Sequence, residues 1–577
     1  MIIKKNKKSL FSSSILNSFV NKKLLPIILK FFGIILIFLV FSFLYLVVTK
    51  SKDEIRKLVY LTAQKSYWIG SYISNTPKKW LNNFLSDDPV LNISINSKDY
   101  QLLMTLKDDA VKKGILLEKN KRSVPALLSY KNQSYDVRIR LKGVMTHTHL
   151  QDHKWSSRIK LNNERFLGMK EFSLQNPKRR SFVSSFLLHK FSESANLPTK
   201  KFDLIPFSIN GKYMGVYNYE EFPDHNMNDF LSGKNNIVIV IDDDDMFIDQ
   251  GHSISNFKKI QPLPKVNSYY LSSKIRAHSF NEVLNDKILK KDFEKASKLL
   301  NDFRSEKLPT SEVFDLDKTA TWLALTDLFG SYHGSCFSNI KLVYDRDKHR
   351  LYPIIWDAFG ENLSSSITHQ KYRMFKLQYV FDLIKGGCTS KIEMPSQMLQ
   401  DTKLIEKYLN NLEQVTSTKY IDNILKRIKP QTDEYMRILN LDYPQIKIET
   451  EIRRLKDNAK YLRDIFLYPK QPFEAYLPAD EEKNSLILVN TSPVPFKIIG
   501  LIDVTTNQKF IINSNNPNYI LKNYIGDIAP KPTKFTFECP IENCFAPEKI
   551  NNMRIITKVL GTTKNSNVKI NNWVAYE

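Results

Sequence analysis

Two residues at the ends of a predicted hairpin have the chemistry to hold a divalent cation. Asn339 opens one strand-like run, IKLVY, and a second apolar run, LYPII, delivers Trp356 and Asp357. The charged turn DRDKHR joins the two runs. An amide and a carboxylate at the ends of adjacent strands can point both oxygens at one spot, and Mg²⁺ prefers such oxygen ligands. We therefore expect Asn339 and Asp357 to form one metal site.

The elements that must position this pair divide the chain into a strand-rich part and a helix-rich part. Period-two alternation in LNISIN, SYDVRIRLKG, WSSRIKL and KFDLIPFSINGKYMGVYNYEE predicts strands between residues 92 and 242. Asn210-Gly211 predicts a hairpin within the last of these, and Arg180–Leu197 reads as an amphipathic helix. From about residue 270 the pattern is helical, with the Asn339–Gly360 hairpin embedded in it. The predicted fold class is α+β.

Short strands separated by Asn, Pro and Gly turns follow a linker near residue 470, and they predict an all-β sandwich over residues 484–577. At the other end, residues 31–48 are eighteen uncharged and mostly large apolar residues. This run predicts a transmembrane helix over 24–49, after a basic tail over 1–23 and before a helical stalk over 50–91.

The charges beside this apolar run set its predicted orientation. Lysines, but no acidic residues, precede the run, so the tail is expected in the cytoplasm and the main domains outside. We therefore expect a single-pass protein of the cell membrane. A cleaved signal peptide is the alternative, but no small-x-small site follows the run.

The distribution of charged residues limits the kinds of partner that the chain is expected to bind. The 577-residue chain has a formal net charge of +25, but its Lys and Arg are spread along its length without a nucleic-acid-binding motif. Nucleic acid is therefore an unlikely partner. Four cysteines form no C-x-x-C pair, and Cys539 and Cys544 either close a small disulfide loop or are ordinary thiols.

Several other groups could do chemistry. His147, His149 and His153 could bind zinc, or belong to a polar loop. The Asp242–Asp245 run could bind Ca²⁺ or Mg²⁺, although a solvated loop is the simpler interpretation. The basic residues 178–180 could form an anion site, and Asp315 is expected to cap a helix.

Five motifs in order, rather than any single one, resemble the CotH family of spore-coat-type atypical protein kinases. They are RIRLKG (138–143), KWSSRIKL (154–161), GMKEFSLQNPKRR (168–180), INGKYMGVYNYEE (209–221) and LYPIIWDAFG (351–360). The resemblance implies a divergent, kinase-like, two-lobed domain over 92–470. Its strand-rich N-lobe would cover about 92–245 and its helical C-lobe, with the embedded hairpin, about 246–470.

The resemblance also implies ATP and Mg²⁺ as cofactors and assigns roles to residues. A lysine of the KWSSRIKL strand would contact the ATP phosphates, and the pattern leaves Lys154 and Lys160 open. Glu221 would pair with that lysine or with the metal, while Glu220 points to the opposite face of the strand. Asn339 and Asp357 match the two metal-side positions, as in kinases.

One position departs from the kinase pattern. The catalytic Asp of kinases lies five residues before the metal-binding Asn, and here that position is Gly334. His333 could serve as the base instead. Two functions therefore stay open: an enzyme that phosphorylates Ser or Thr of surface or secreted proteins, or an inactive module that tethers a surface protein or polymer.

Overall fold

The computed structural model describes residues 86–575 with gaps at 151–152, 223–235, 258–265, 279, 359–393, 479–483, 491, 493, 512–519, 522–531, 538–544 and 547–548. These residues all lie within one compact unit, Lys79–Glu577. The predicted tail, transmembrane helix and nearly all of the stalk lie outside the described residues. Within the described ranges, no helix is both long and apolar enough to cross a membrane.

The first part of the chain forms a closed barrel of seven strands. The strand order is β1-β2-β3-β4-β5-β7-β6, and closure comes from β1, which pairs in parallel with β6 while every other pair is antiparallel. The strands are β1 (Leu91–Ser94), β2 (Ser123–Tyr130), β3 (Gln133–Leu141), β4 (Ser157–Leu161), β5 (Glu171–Gln175), β6 (Phe202–Ile209) and β7 (Lys212–Glu221).

Alternation of apolar and polar residues explains the barrel. Every second residue of each strand is apolar and enters a core that includes Ile139, Ile159 and Phe172. The predicted Asn210-Gly211 hairpin is confirmed, because both residues have the positive φ (49° and 76°) that a tight turn between β6 and β7 requires.

A second sheet carries the predicted Asn339–Gly360 hairpin. Its order is β11-β10-β8-β9, formed by β8 (Ile237–Ile241), β9 (Ile275–Ala277), β10 (Lys341–Asp345) and β11 (Arg350–Ile354). In β10 and β11 Lys341 faces Ile354 and Asp345 faces Arg350. The hairpin therefore belongs to a sheet rather than standing alone among helices.

Most of the other described residues up to 467 are in helices. They are α1 (Ser97–Lys113), α2 (Thr146–His149), α3 (Ser184–Ser194), α4 (Asp244–Phe257), α5 (Val266–Ser272), α6 (Phe280–Asn285), α7 (Lys287–Arg304), α8 (Thr310–Val313), α9 (Leu316–Phe329), α10 (Met394–Met398), α11 (Thr402–Val415), α12 (Thr418–Arg427), α13 (Lys429–Leu439) and α14 (Ile448–Leu462), which continues as a π-helical turn (Arg463–Leu467). Short 3₁₀ turns lie among them, including Pro177–Arg180 before α3 and Tyr332–Ser335 after α9.

The central helix, α9, shows how sequence fixes an element. Its N-cap is Asp315, whose carboxylate accepts a hydrogen bond from the Lys318 backbone at 3.1 Å, so the predicted cap is confirmed. Its C-cap is Gly330, with a left-handed φ of 63°. Nearly every side chain of α9 is buried, because the helix packs between α11, α14, α3 and β11.

The C-terminal part consists of two sheets. One has the order β17-β13-β12-β20 and the other β15-β14-β18-β19, with β16 added to β14. The strands are β12 (Glu474–Pro478), β13 (Ser485–Val489), β14 (Phe496–Asp503), β15 (Lys509–Ile511), β16 (Ile520–Leu521), β17 (Thr533–Thr536), β18 (Met553–Val559), β19 (Ser566–Lys569) and β20 (Asn571–Ala575). Both sheets contribute to one apolar core, as expected for the predicted sandwich, but the first strand begins at Glu474 rather than after residue 484.

The sandwich is joined to the helices by buried polar contacts. The Glu413 carboxylate on α11 accepts hydrogen bonds from the Thr563 backbone (3.1 Å) and hydroxyl (2.8 Å). Asn410, one turn earlier, donates to the Gly561 carbonyl at 3.1 Å. The apolar core also runs without a break from the helices into the sandwich.

Candidate functional site

Asp357 lies directly after β11, in a backbone conformation that few residues adopt. Its φ is 44°, in the left-handed region that Asp tolerates better than most side chains. The next residue, Ala358, is fixed by its carbonyl, which accepts a hydrogen bond from the Ser185 hydroxyl on α3 at 2.5 Å. The turn therefore aims the Asp357 carboxylate away from the strand.

Two nitrogen-bearing side chains, Arg180 and His333, contact the Asp357 carboxylate. The Arg180 guanidinium lies 2.6 Å from one oxygen, and the His333 Nε2 lies 3.1 Å from the other. Burial alone would raise the pKa of Asp357, but the charge of Arg180 and the hydrogen bond from His333 outweigh it. The pKa is held well below its usual range, so Asp357 is an anion at every physiological pH.

Glu220, at the end of β7, lies behind this pair and is fully buried. Its carboxylate accepts hydrogen bonds from Arg180 and from Lys200 (2.9 Å), and the Lys142 ammonium is 3.7 Å away. A buried carboxylate needs such partners, because an isolated one would cost several kcal/mol. We call these six residues the charge cluster: Lys142, Arg180, Lys200, Glu220, His333 and Asp357.

The lysines of the charge cluster are shifted by their surroundings. Burial lowers the pKa of Lys142 to about 7, although the Glu220 charge opposes this. Burial likewise lowers the pKa of Lys200, whose ammonium also lies 4.1 Å from the centre of the Trp356 ring. Positive groups outnumber carboxylates here, so the charge cluster attracts anions.

Asn339 lies at the same place. Its side-chain amide donates to the His333 carbonyl at 3.0 Å, while the His333 ring contacts Asp357. The structure thus brings both predicted metal-side residues against one histidine. The loop is fixed further by Cys336, which is disulfide-bonded and whose carbonyl accepts the Asn339 backbone hydrogen bond at 2.8 Å. The predicted Cys539–Cys544 pair lies outside the described residues.

Gly334 stands at the position of the kinase catalytic base, and the structure has no room there for a side chain. A Cβ atom at Gly334 would lie 2.5 Å from the Trp356 carbonyl oxygen and 3.3 Å from the Ala358 side chain. No carboxylate can occupy this position without displacing the Asp357 turn. Asp327 is not a substitute, because it is fully buried on α9 and accepts hydrogen bonds from Tyr408 and Tyr332. His333, with its side chain 41% exposed, is the reachable basic group.

The other residues assigned through the resemblance lie elsewhere. Lys154 is buried and bonds to Asp442 and to the Val216 carbonyl (2.9 Å), whereas Lys160 is exposed on β4. Glu221 accepts a hydrogen bond from the Lys201 backbone at 3.0 Å, and Glu220 is the carboxylate that lies beside lysine ammonium groups. The lysines beside that carboxylate are Lys142 and Lys200.

The remaining candidates do not assemble into a further site. His147 and His149 lie on the short helix α2 rather than on a strand, and burial lowers the pKa of His149 to about 3, so its ring is neutral. Among the described residues, the one group of His, Cys, Asp and Glu with metal-ligand spacing is Asp242, Asp243 and Asp244. Arg276 neutralises its outer members, at 2.5 Å from Asp242 and 3.4 Å from Asp244.

Arg180, Lys142 and Lys200 were missed as partners of Asp357 and Glu220, and one signal could have found them. Alternation along β7 puts Glu220 on the face that carries Val216, which packs against the helices. A carboxylate on a buried face requires cations. Lys142 follows β3 and Lys200 precedes β6, so lysines just outside the neighbouring strands were the candidates for these cations.

The side chains of the charge cluster and Asn339 are of the types that bind Mg²⁺ and a nucleoside triphosphate. The Asp357 carboxylate, 23% exposed, and the Asn339 amide are oxygen donors, and Mg²⁺ is usually bound by one or two carboxylates together with substrate phosphates. Arg180 and Lys142 are donors that match phosphate oxygens, whereas Lys200 is as buried as Glu220. Glu220 is too enclosed to add a ligand.

Comparison with known proteins identifies a family for most of the described chain. A family model described as CotH kinase protein matches residues 139–466, which is more than half of the chain. No curated protein matches the chain. The matched range contains the whole charge cluster and ends before the C-terminal sandwich.

Proposed function

The chain belongs to the CotH kinase protein family, and on this premise we propose that the charge cluster binds Mg-ATP and transfers its γ-phosphoryl group to a Ser or Thr hydroxyl of another protein. The observation that carries the proposal is the Asp357 carboxylate, held between Arg180 and His333 over buried Glu220. A fixed anion beside surplus cations suits a metal–phosphate ligand.

In this mechanism the protein mainly positions groups and neutralises charge. Asp357 and Asn339 would hold Mg²⁺, which supplies charge neutralisation at the phosphates when bound. Lys142 and Arg180 bind phosphate oxygens, and Lys200 neutralises the buried Glu220 carboxylate. The acceptor hydroxyl loses its proton to the His333 imidazole as its oxygen bonds to the γ-phosphorus, and the bond from that phosphorus to the ADP oxygen breaks.

Thermal unfolding with and without Mg-ATP tests nucleotide binding. At a concentration 100-fold above Kd a ligand stabilises the folded state by about 2.7 kcal/mol, which raises Tm by several degrees. We expect this shift in the wild type and its loss in Asp357→Asn. The matched control is Asp345→Asn, at the other end of the same hairpin, where the carboxylate lies 3.6 Å from Lys318.

The proposal is contradicted if neither the wild type nor the control responds to ATP with Mg²⁺, Mn²⁺ or Ca²⁺. Transfer itself is tested by phosphosite mass spectrometry after incubation with ATP. Phosphate on Ser or Thr is expected with the wild type and absent with Asp357→Asn.

The closed position at Gly334 favours a second candidate function. Without room for the kinase base, the charge cluster would bind a nucleotide, or only a partner, and the chain would tether a cell-surface protein or polymer. A melting shift without any transferred phosphate, in the presence of extracts that contain acceptor proteins, is the result expected for this module.

We also propose that the described part of the chain works outside the cell membrane, held by a single N-terminal span. The apolar run at 31–48 and the lysines before it support this, and so does the disulfide at Cys336, because disulfides are rare in reducing compartments. Protease added to intact cells should cleave the main domains, and full protection in intact but not lysed cells would contradict the proposal.

A further inference from the structure

Basic side chains stand opposite one another on the outer face of β3 and β4. The register pairs Arg140 with Arg158 and Arg138 with Lys160. The alternate residues of both strands fill the barrel core, so these four point outward. Lys142 continues the row beyond the end of β3. We call this set the basic stripe: Arg138, Arg140, Lys142, Arg158 and Lys160.

Nearby carboxylates do not fully neutralise the positive charge of the basic stripe. Like charges directly opposite across strands are unfavourable, and two such pairs lie side by side here. Glu118 lies 3.4 Å from Arg140 and Glu171 lies 3.6 Å from Arg158, both longer than the 2.7–2.9 Å of a hydrogen-bonded ion pair. Among the described residues, the Arg158 Nε has no hydrogen-bond acceptor. The Arg138 guanidinium donates to the Ser123 hydroxyl and carbonyl (3.0 and 2.7 Å), and the Arg158 Nε is itself buried. What the stripe offers a ligand is therefore positive charge that the nearby carboxylates do not fully neutralise.

The inner end of the stripe reaches the charge cluster. The Arg158 guanidinium stacks on the Phe222 ring at 4.1 Å, and that ring packs edge-on against Trp356, the residue before Asp357. Lys142 belongs to both groups, since its ammonium lies 3.7 Å from Glu220. A ligand lying along β3 and β4 would therefore end beside Asp357.

We infer that the basic stripe binds an extended, acidic segment of the acceptor protein, an inference that rests on the proposed function and names its substrate class. Side chains two residues apart on a strand are about 6.7 Å apart, and an extended peptide has the same pitch. Glutamates or aspartates at alternate positions would match successive rows of the stripe, over roughly 13 Å from position 138 to 142. The stripe is longer than one phosphate group requires.

Fluorescence anisotropy of the full-length chain tests this. The probe is a fluorescein-labelled decapeptide of alternating Glu and Ser, and the control probe alternates Gln and Ser. The variant is Arg138→Gln/Lys160→Gln, because both side chains are exposed and their loss leaves the barrel core intact. The matched control is Lys212→Gln, an exposed lysine on β7 outside the stripe.

We expect the acidic probe to bind the wild type and Lys212→Gln equally, and the double variant roughly five- to tenfold more weakly. Binding should weaken as salt is raised from 50 to 300 mM. Equal binding of the Gln-Ser probe, or no effect of the double variant, overturns the inference. So does tighter, stripe-dependent binding of inorganic polyphosphate, which would make a phosphate polymer the occupant.

The assay contains no nucleotide or divalent cation. Peptide binding that depends on the stripe therefore supports this inference even if Mg-ATP causes no melting shift. A melting shift without peptide binding supports the nucleotide site only. The two proposals thus fail independently.

Discussion

At the scale of single residues, the site depends on a strained aspartate, Asp357, and on Gly334, where a Cβ atom would be too close to the backbone. A left-handed φ at a residue other than glycine costs on the order of 1–3 kcal/mol, and Asp357 keeps it because Arg180 and His333 hold its carboxylate. Gly334 makes the conformation possible, since it leaves room for the Trp356 carbonyl.

Gly334→Ala should destabilise the protein. Its Cβ would meet the backbone oxygen of Trp356 at 2.5 Å, a contact that requires the Asp357 turn to shift. Overpacking of this kind costs about 1–3 kcal/mol, measurable as a lower Tm. Gly251→Ala on α4 is the control, because its Cβ finds only ordinary contacts at 3.6 Å, and a helical Ala is favoured by up to about 1 kcal/mol. Equal Tm values for both variants would contradict this packing.

The Lys142 ammonium should make nucleotide binding fall as pH rises. With its pKa lowered to about 7 by burial, Lys142 loses its proton near neutrality and with it its attraction for phosphate. Affinity for Mg-ATP should decline above pH 7 by a factor approaching about tenfold per pH unit. Calorimetric titrations between pH 6 and 9 measure this, and Lys142→Met should bind weakly without that decline. A wild-type profile that is flat across this range would contradict the assignment.

The same lysine changes folding stability in the opposite sense. The unfolded chain keeps the Lys142 proton up to its ordinary pKa of 10.5, while the folded chain releases it near 7. Between these values the unfolded state binds more protons, so this group makes the free energy of unfolding rise with pH. Binding and stability therefore respond to pH with opposite signs.

At the scale of elements, Lys154 fixes the barrel to the helices. It lies in the segment before β4, and its partner Asp442 follows α13 and also accepts the Val216 backbone hydrogen bond at 2.7 Å. Both side chains are almost fully buried. These contacts assign Lys154 to the joint between two parts of the fold.

Lys154→Met should therefore destabilise the protein by about 3–5 kcal/mol, because it leaves the Asp442 charge buried without its partner. Lys154→Met/Asp442→Asn should recover part of the loss, since no lone charge remains. Urea unfolding measures both variants. The Mg-ATP melting shift should persist in the double variant. If Lys154→Met abolishes that shift at unchanged stability, the lysine contacts phosphate as first expected.

Elements with local signals could be predicted, and contacts between distant segments could not. Alternation predicted the barrel strands, Asn210-Gly211 predicted its hairpin, and the two apolar runs predicted the strands that present Asp357. The choice between Lys154 and Lys160 as the phosphate-binding lysine stays a prediction, and the pattern of single strands did not indicate Lys142 or Lys200 as partners of Glu220. Only the closing of the barrel and its packing on α3 decide which of them face Glu220.

At the scale of the whole molecule, the apolar core joins helices and sandwich. The sequence did not indicate the strand Glu474–Pro478, because it follows a proline-bearing segment that looks like a linker, yet this strand pairs with β13 and β20. Buried residues of both parts belong to one cluster. This shared burial makes the two parts stabilise each other.

Differential scanning calorimetry should therefore show the sandwich unfolding together with the helices. Glu413→Ala, which removes the acceptor of the Thr563 hydrogen bonds, should lower that common transition by a few degrees. Asp433→Ala, on the exposed face of α13, is the control, since its ion pair with Lys429 lies at the surface. A separate sandwich transition in the wild type would contradict the coupling.

Closure of the barrel by β1 has a mechanical consequence. β1 is hydrogen-bonded along both edges, to β2 and to β6, and it is the first strand of the described chain. A pulling force applied at residue 86 would load both rows of hydrogen bonds at once and along the strand. β1 can leave the barrel only when all of these hydrogen bonds break together. The barrel should therefore resist tension from that end far better than it would if the bonds could break one at a time.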